Sequence, residues 1–160
     1  MSAVAALAVV IRLNTRLFLN CLDGVADERA AERPGGKTNN LPFVACHLVD
    51  SRFYTAGLLG LELSNPFGQL LGDASGIDDV PVLPPLARIR EAWNTVSVEL
   101  EACVASLGYE DTGLLSPQQF PVDDPTLLGA LAFLVQHESY HIGQLGLLRR
   151  YLGYPAMSYR

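Results

Sequence analysis

Residues 85–107 read PLARIREAWNTVSVELEACVASL. Leu86, Ile89, Trp93, Val96, Leu100, Cys103 and Leu107 recur at alternating three- and four-residue intervals. Such spacing brings an apolar side chain to one side of an α-helix at every turn, and it predicts the seam of a helix packed in a bundle. Pro85 suits a first helical position, where its missing N–H costs little, and Gly108 marks an end.

Three more stretches of helical length lie outside this one. The first spans about Ser2 to Leu22, with Ala3, Leu7, Val10, Asn14, Leu17 and Cys21 along one face and Gly24 as a stop. The second spans about Leu41 to Leu61. Asn40 is a candidate cap, Pro42 falls in the first turn, and Phe43, His47, Asp50, Tyr54, Leu58 and Leu61 share a face. Ser64, Asn65 and Pro66 require it to end before them. The fourth runs to about Leu152, with Asp123 or Asp124 as cap, Pro125 in its first turn, and Gly153 and Pro155 beyond its end. Its inner face reads Leu127, Ala130, Leu134, His137, His141, Gln144 and Leu148.

Polar connectors rich in glycine and proline separate these helices, and no stretch alternates as a strand would. The expected fold is all-α: one domain over residues 1–160, a four-helix bundle with long connectors. The connector 64–84 is long enough to suggest a substrate-facing loop.

The chain has 160 residues, of which 49% are apolar and only 18% charged, a balance incompatible with disorder. Seventeen acids against eleven Lys and Arg leave a net charge of −6. A nucleic-acid footprint is therefore not expected. No basic cluster exceeds Arg149-Arg150, so anionic membranes are not expected partners either. Residues 3–11 (AVAALAVVI) resemble a short signal-peptide core, but no positive charge precedes them and Arg12, Asn14 and Arg16 interrupt the run. They read as the first turns of a buried helix. Cys21, Cys46 and Cys103 are sparse, odd in number and far apart, which favours reduced thiols and a cytoplasmic location.

The histidines carry the chemistry. His137 and His141 are one helical turn apart, about 40° around the axis, close enough for two imidazoles to share a metal ion. His47, on the inner stripe of another helix, supplies a third candidate ligand. Three protein ligands plus an open position is the composition of a catalytic metal site. The string HESYH at 137–141 also fits HExxH, the helical motif of zinc metalloproteases. That reading fails, because the chain has no Asp, Glu or His after His141 to complete such a site. Glu138 is either an acid near the metal or a solvated helix-face residue. Gln144 and Asp50 are each one turn from a histidine and could orient an imidazole by accepting its second N–H. Asn14 could line the pocket. Cys46 lies about 100° around the helix from His47 and reads as core, as does Trp93.

The strings HLVDSR (47–52) and HESYHIGQL (137–145), followed by RRYLG (149–153), resemble the DinB-like (damage-inducible) metalloenzymes. That superfamily includes bacillithiol S-transferases and mycothiol-dependent maleylpyruvate isomerase. The resemblance implies a four-helix bundle, a divalent metal (nickel or zinc) held by His47, His137 and His141, and a homodimer. It also implies activation of a low-molecular-weight thiol for transfer to a small electrophile, since a metal-coordinated thiol is deprotonated. Lewis-acid hydrolysis and a metal-stabilised bundle without turnover are the alternatives. The isomerase branch resembles the chain less, because its extra C-terminal domain is not expected here. No catalytic residue is assigned beyond the three histidines.

Overall fold

The computed structural model describes residues 2–72 and 74–159. It contains four long helices: α1 (Ala3–Leu22), α3 (Leu41–Leu58), α5 (Leu86–Ser106) and α7 (Leu127–Tyr151). Short helices α2 (Asp27–Ala30), α4 (Gly68–Leu71) and α6 (Tyr109–Thr112) lie in the connectors. Among the described residues there are no strands; one antiparallel bridge pairs Leu115 with Thr126.

In cross-section the helices run α1, α5, α3, α7, each packed chiefly on the two beside it. Bonds between them give the directions. Trp93 Nε1 donates to Thr15 O (3.1 Å) and Arg90 reaches Leu22 O, so α1 and α5 are antiparallel. Asn14 bonds Ser139 and Cys21 faces Ile142, so α1 and α7 run the same way. Val44 lines one cavity with Leu148 and Thr55 another with Leu134, so α3 is antiparallel to α7 and parallel to its neighbour α5. Parallel neighbours cannot be joined by a tight turn. The chain must travel back along the whole bundle, and the long connector between α3 and α5 does this. Phe67, Leu71 and Val80 anchor it to the core.

Several helix limits differ from expectation for local reasons. The helix α3 ends at Leu58 rather than Leu61. Gly60 takes φ +85°, Gly60 N–H bonds Gly57 O (3.0 Å) and Leu61 N–H bonds Ala56 O (3.0 Å), a Schellman closure. The same closure ends α7 at Gly153 (φ +86°), as the sequence suggested. The start of α7 is later than expected. Neither Asp123 nor Asp124 caps it; Thr126 holds the cap position and the helix begins at Leu127. The Asp124 carboxylate instead accepts from Thr126 N–H (2.9 Å) and Oγ1 (2.7 Å). The bridge at Leu115 holds that segment extended.

The inner faces also shift. In α5 the far end of the seam is Val104, buried, while Cys103 is half-exposed. A strict three–four repeat drifts about 20° per seven residues on a straight helix, and residue 104 lies five full turns from Leu86. In α7 the deepest positions are Ala130, Leu131, Ile142 and Leu145, with Glu138 beside them. The histidine stripe is half-buried and borders the groove between α3 and α7. Trp93 is fully buried, with Phe18 stacked on it at 3.9 Å between ring centroids.

Candidate metal centre

Asn40 Oδ1 caps α3 by accepting from Phe43 N–H (3.0 Å), and about two turns later α3 presents His47. His137 and His141 come from consecutive turns of α7. The Nε2 atoms of His47 and His137 are 3.3 Å apart, and those of His141 and His137 are 3.0 Å apart. Donor atoms from all three residues lie within 4.8 Å of one another. Imidazole nitrogens bind a zinc ion at about 2.0–2.1 Å, so two nitrogens on one ion stand about 3.0–3.3 Å apart at the usual angles. The observed separations match that requirement.

The protonation states suit ligation too. Burial, reinforced by His141 and His137, pushes His47 down to about 4. His137 is lowered by burial and by His141, against an opposing pull from Glu138. Both rings are neutral at pH 7. His141 Nδ1 lies 2.7 Å from Gln144 Oε1. With the Gln144 amide nitrogen assigned as donor to Tyr140 Oη (3.2 Å), Oε1 accepts from His141 Nδ1–H. That bond fixes the tautomer and leaves the His141 Nε2 lone pair facing the other two rings. Replacing Gln144 with Leu is expected to weaken metal binding about 10–100-fold with the fold intact, measured by competition with a chromophoric chelator.

The other sequence candidates fall elsewhere. Asp50 does not reach His47; Asn65 Nδ2 donates to its carboxylate (2.6 Å). Asn14 does not line the groove; its amide donates to Ser139 Oγ (3.0 Å) between α1 and α7. Glu138 is neither solvated nor at the histidines: Arg52 Nε and Nη2 hold it in a bidentate pair at 2.8 and 2.7 Å. The described residues of the 64–84 connector pack on the far side of α3 and line cavities away from the histidines. Cys46 is core, and burial together with Asp50 pushes its thiol up to about 12.

Arg52 is the chief residue that sequence reasoning missed. It is 1% exposed, and all five of its N–H groups are used. Besides Glu138 they reach Thr15 Oγ1 (2.7 Å), Ser97 Oγ and Ile11 O (3.3 Å), so one side chain joins all four long helices. Its guanidinium also lies over Trp93, 3.7 Å from the ring centroid. Its place as the one Arg or Lys of α3 was the available signal. Phe133 and Tyr140 were also missed. Phe133 stacks on His137 and meets Phe120 from the connector before α7, while Tyr140 packs edge-on against His141. Ser51 Oγ lies 3.5 Å from His137 Nδ1.

A cavity of about 330 Å³ opens one turn along the α3–α7 groove. Val44, Gln144, Leu147, Leu148 and Tyr151 form its helical walls, and the segment before α3 closes it with Pro34, Thr38 and Asn39. This segment, rather than 64–84, lines the cavity beside the histidines.

Lowered histidine pKa values make stability depend on pH. His47 in the metal-free fold stays neutral down to about pH 4, whereas in the unfolded chain it protonates near 6.5. Between those values the unfolded state binds more protons, so stability falls as pH falls. Thermal denaturation of the metal-free protein is expected to show a declining Tm from pH 6.5 towards 4. The decline should be shallower in His47→Gln.

A four-helix bundle with three histidines converging from two helices defines a class of metal-binding helical domains. The chain belongs to the DinB superfamily, whose family model matches residues 11–145. The match takes in all three histidines, Arg52 and Glu138. No curated protein matches the chain.

Proposed function

We propose that the protein is a divalent-metal-dependent enzyme, using nickel or zinc, that activates a low-molecular-weight thiol for S-transfer to a small electrophile. The observation that carries this reading is the meeting of three histidines, Nε2 to Nε2, at a half-exposed groove beside an apolar cavity. A divalent ion held there would favour the thiolate over the thiol.

The chain's own residues support a thiol that arrives with the substrates. Cys46, the cysteine next to His47, is buried, and its thiol stays protonated at pH 7. Glu138 is committed to Arg52 and unavailable as a base at the histidines. His47 and His137 act as neutral donors, and Gln144 holds the third ring in place. In the reaction the thiol S–H breaks and its proton passes to solvent. A sulfur lone pair forms the new C–S bond, and the leaving group departs with its bonding electrons.

Incubating metal-loaded protein with a panel of small thiols and 1-chloro-2,4-dinitrobenzene tests the proposal. Thiol-dependent release of chloride that His141→Ala lacks would support it. Thiol-independent hydrolysis of ester or amide substrates would favour a hydrolase instead. A homodimer and a cytoplasmic location belong to the same proposal. They rest on the family resemblance and on the sparse, unpaired cysteines; light scattering tests the first.

A further inference from the structure

We propose that the α3–α7 cavity binds the uncharged, apolar body of the small-molecule substrate. This deepens the reading above and rests on it for the reaction, although binding itself needs no metal.

The lining residues set the ligand class. Pro34, Val44, Leu147 and Leu148 are apolar, Tyr151 is aromatic, and Thr38, Asn39 and Gln144 are neutral. No Asp, Glu, Lys or Arg is among them. A carboxylate or phosphate entering this space would lose hydration without gaining a cation, and an ammonium group would find no anion. The volume, about 330 Å³, falls at the small end of the range for small-molecule sites.

The mouth and walls fit the same role. Leu147 is 70% exposed and Tyr151 55%, on successive turns of α7. Covering them with an apolar ligand removes surface from water that the fold leaves unburied. The opposite wall is held in shape. Arg33 donates to Thr38 O (2.7 Å), Lys37 O (3.2 Å) and Asp78 (2.6 Å), and Thr38 Oγ1 donates to Pro34 O (2.9 Å). Arg33 is thereby engaged by its own segment and by Asp78 of the α3–α5 connector. The cavity adjoins the histidines through Gln144, which lines it and also bonds His141. A substrate seated there is one helical turn from the metal ligands.

The test titrates the uncharged fluorophore N-phenyl-1-naphthylamine, and its anionic relative 8-anilinonaphthalene-1-sulfonate, into the full chain. Wild type is expected to bind the neutral probe saturably at one site and more tightly than the anion. Leu147→Arg places a cation at the mouth without disturbing the core. It should weaken neutral-probe binding at least tenfold and narrow or reverse the preference. Val98→Arg, equally exposed on the outer face of α5, should change neither. Absence of saturable binding, tighter binding of the anion by wild type, or identical behaviour of the two Arg variants would overturn the proposal. His137→Ala should retain probe binding, so a failure of the metal reading would leave this result standing.

Discussion

Arg52→Ala is expected to destabilise the protein by about 3–5 kcal/mol in urea denaturation, among the largest effects open to a single substitution here. The loss comes less from the missing attraction than from what remains. Glu138 would be left 7% exposed, with its charge unpaired among four packed helices. The double variant Arg52→Met/Glu138→Met is expected to recover most of that stability, since an apolar pair of similar volume can replace a buried ion pair with little cost. The bystanders tolerate the exchange. The Thr15 hydroxyl proton keeps an acceptor in Ile11 O or Glu101, and that of Ser97 keeps Trp93 O. The double variant also separates stability from register. Glu138 follows His137 directly in sequence, so the bidentate pair that locks α7 to α3 also sets which turn of α7 faces His47. A double variant that folds well yet binds metal more weakly than wild type is the expected outcome.

The second large effect is metal-linked stabilisation. An ion that binds the folded chain alone, at a free concentration of about a thousand times its Kd, adds about 4 kcal/mol. For a domain of this size that corresponds to a rise in Tm of about 8–16 °C. Differential scanning fluorimetry with Zn²⁺ or Ni²⁺ should show a rise of that order in wild type and little in His47→Ala. His47 is the informative position because it is the ligand from α3; without it α7 offers two nitrogens and the ion no longer bridges the helices.

The sequence carried the helix count and the His137–His141 pair because both rest on local periodicity, and His47 joined them as the one remaining histidine on an inner stripe. Leu86, Ile89 and Trp93 repeat at helical spacing, and so do His137 and His141. It did not carry which stripe of α7 is deepest. That helix is apolar over most of its circumference, so periodicity alone could not rank Ile142 and Leu145 above the histidine stripe. Partners distant in sequence were equally illegible. Nothing around Asp50 announces Asn65, and nothing around Glu138 announces Arg52, 86 residues earlier. The role of the 64–84 connector was misread for a topological reason. Its length reflects the parallel run of α3 and α5, which forces a crossover, and its described residues line no part of the cavity beside the histidines.

The most direct test of the central claim, that His47, His137 and His141 together hold one metal ion, is elemental analysis of untagged protein purified without metal-affinity resin, alongside His137→Ala. About one nickel or zinc per chain is expected in wild type and almost none in the variant. Wild-type protein that carries no metal, and takes up none when dialysed against Ni²⁺ or Zn²⁺, would contradict it.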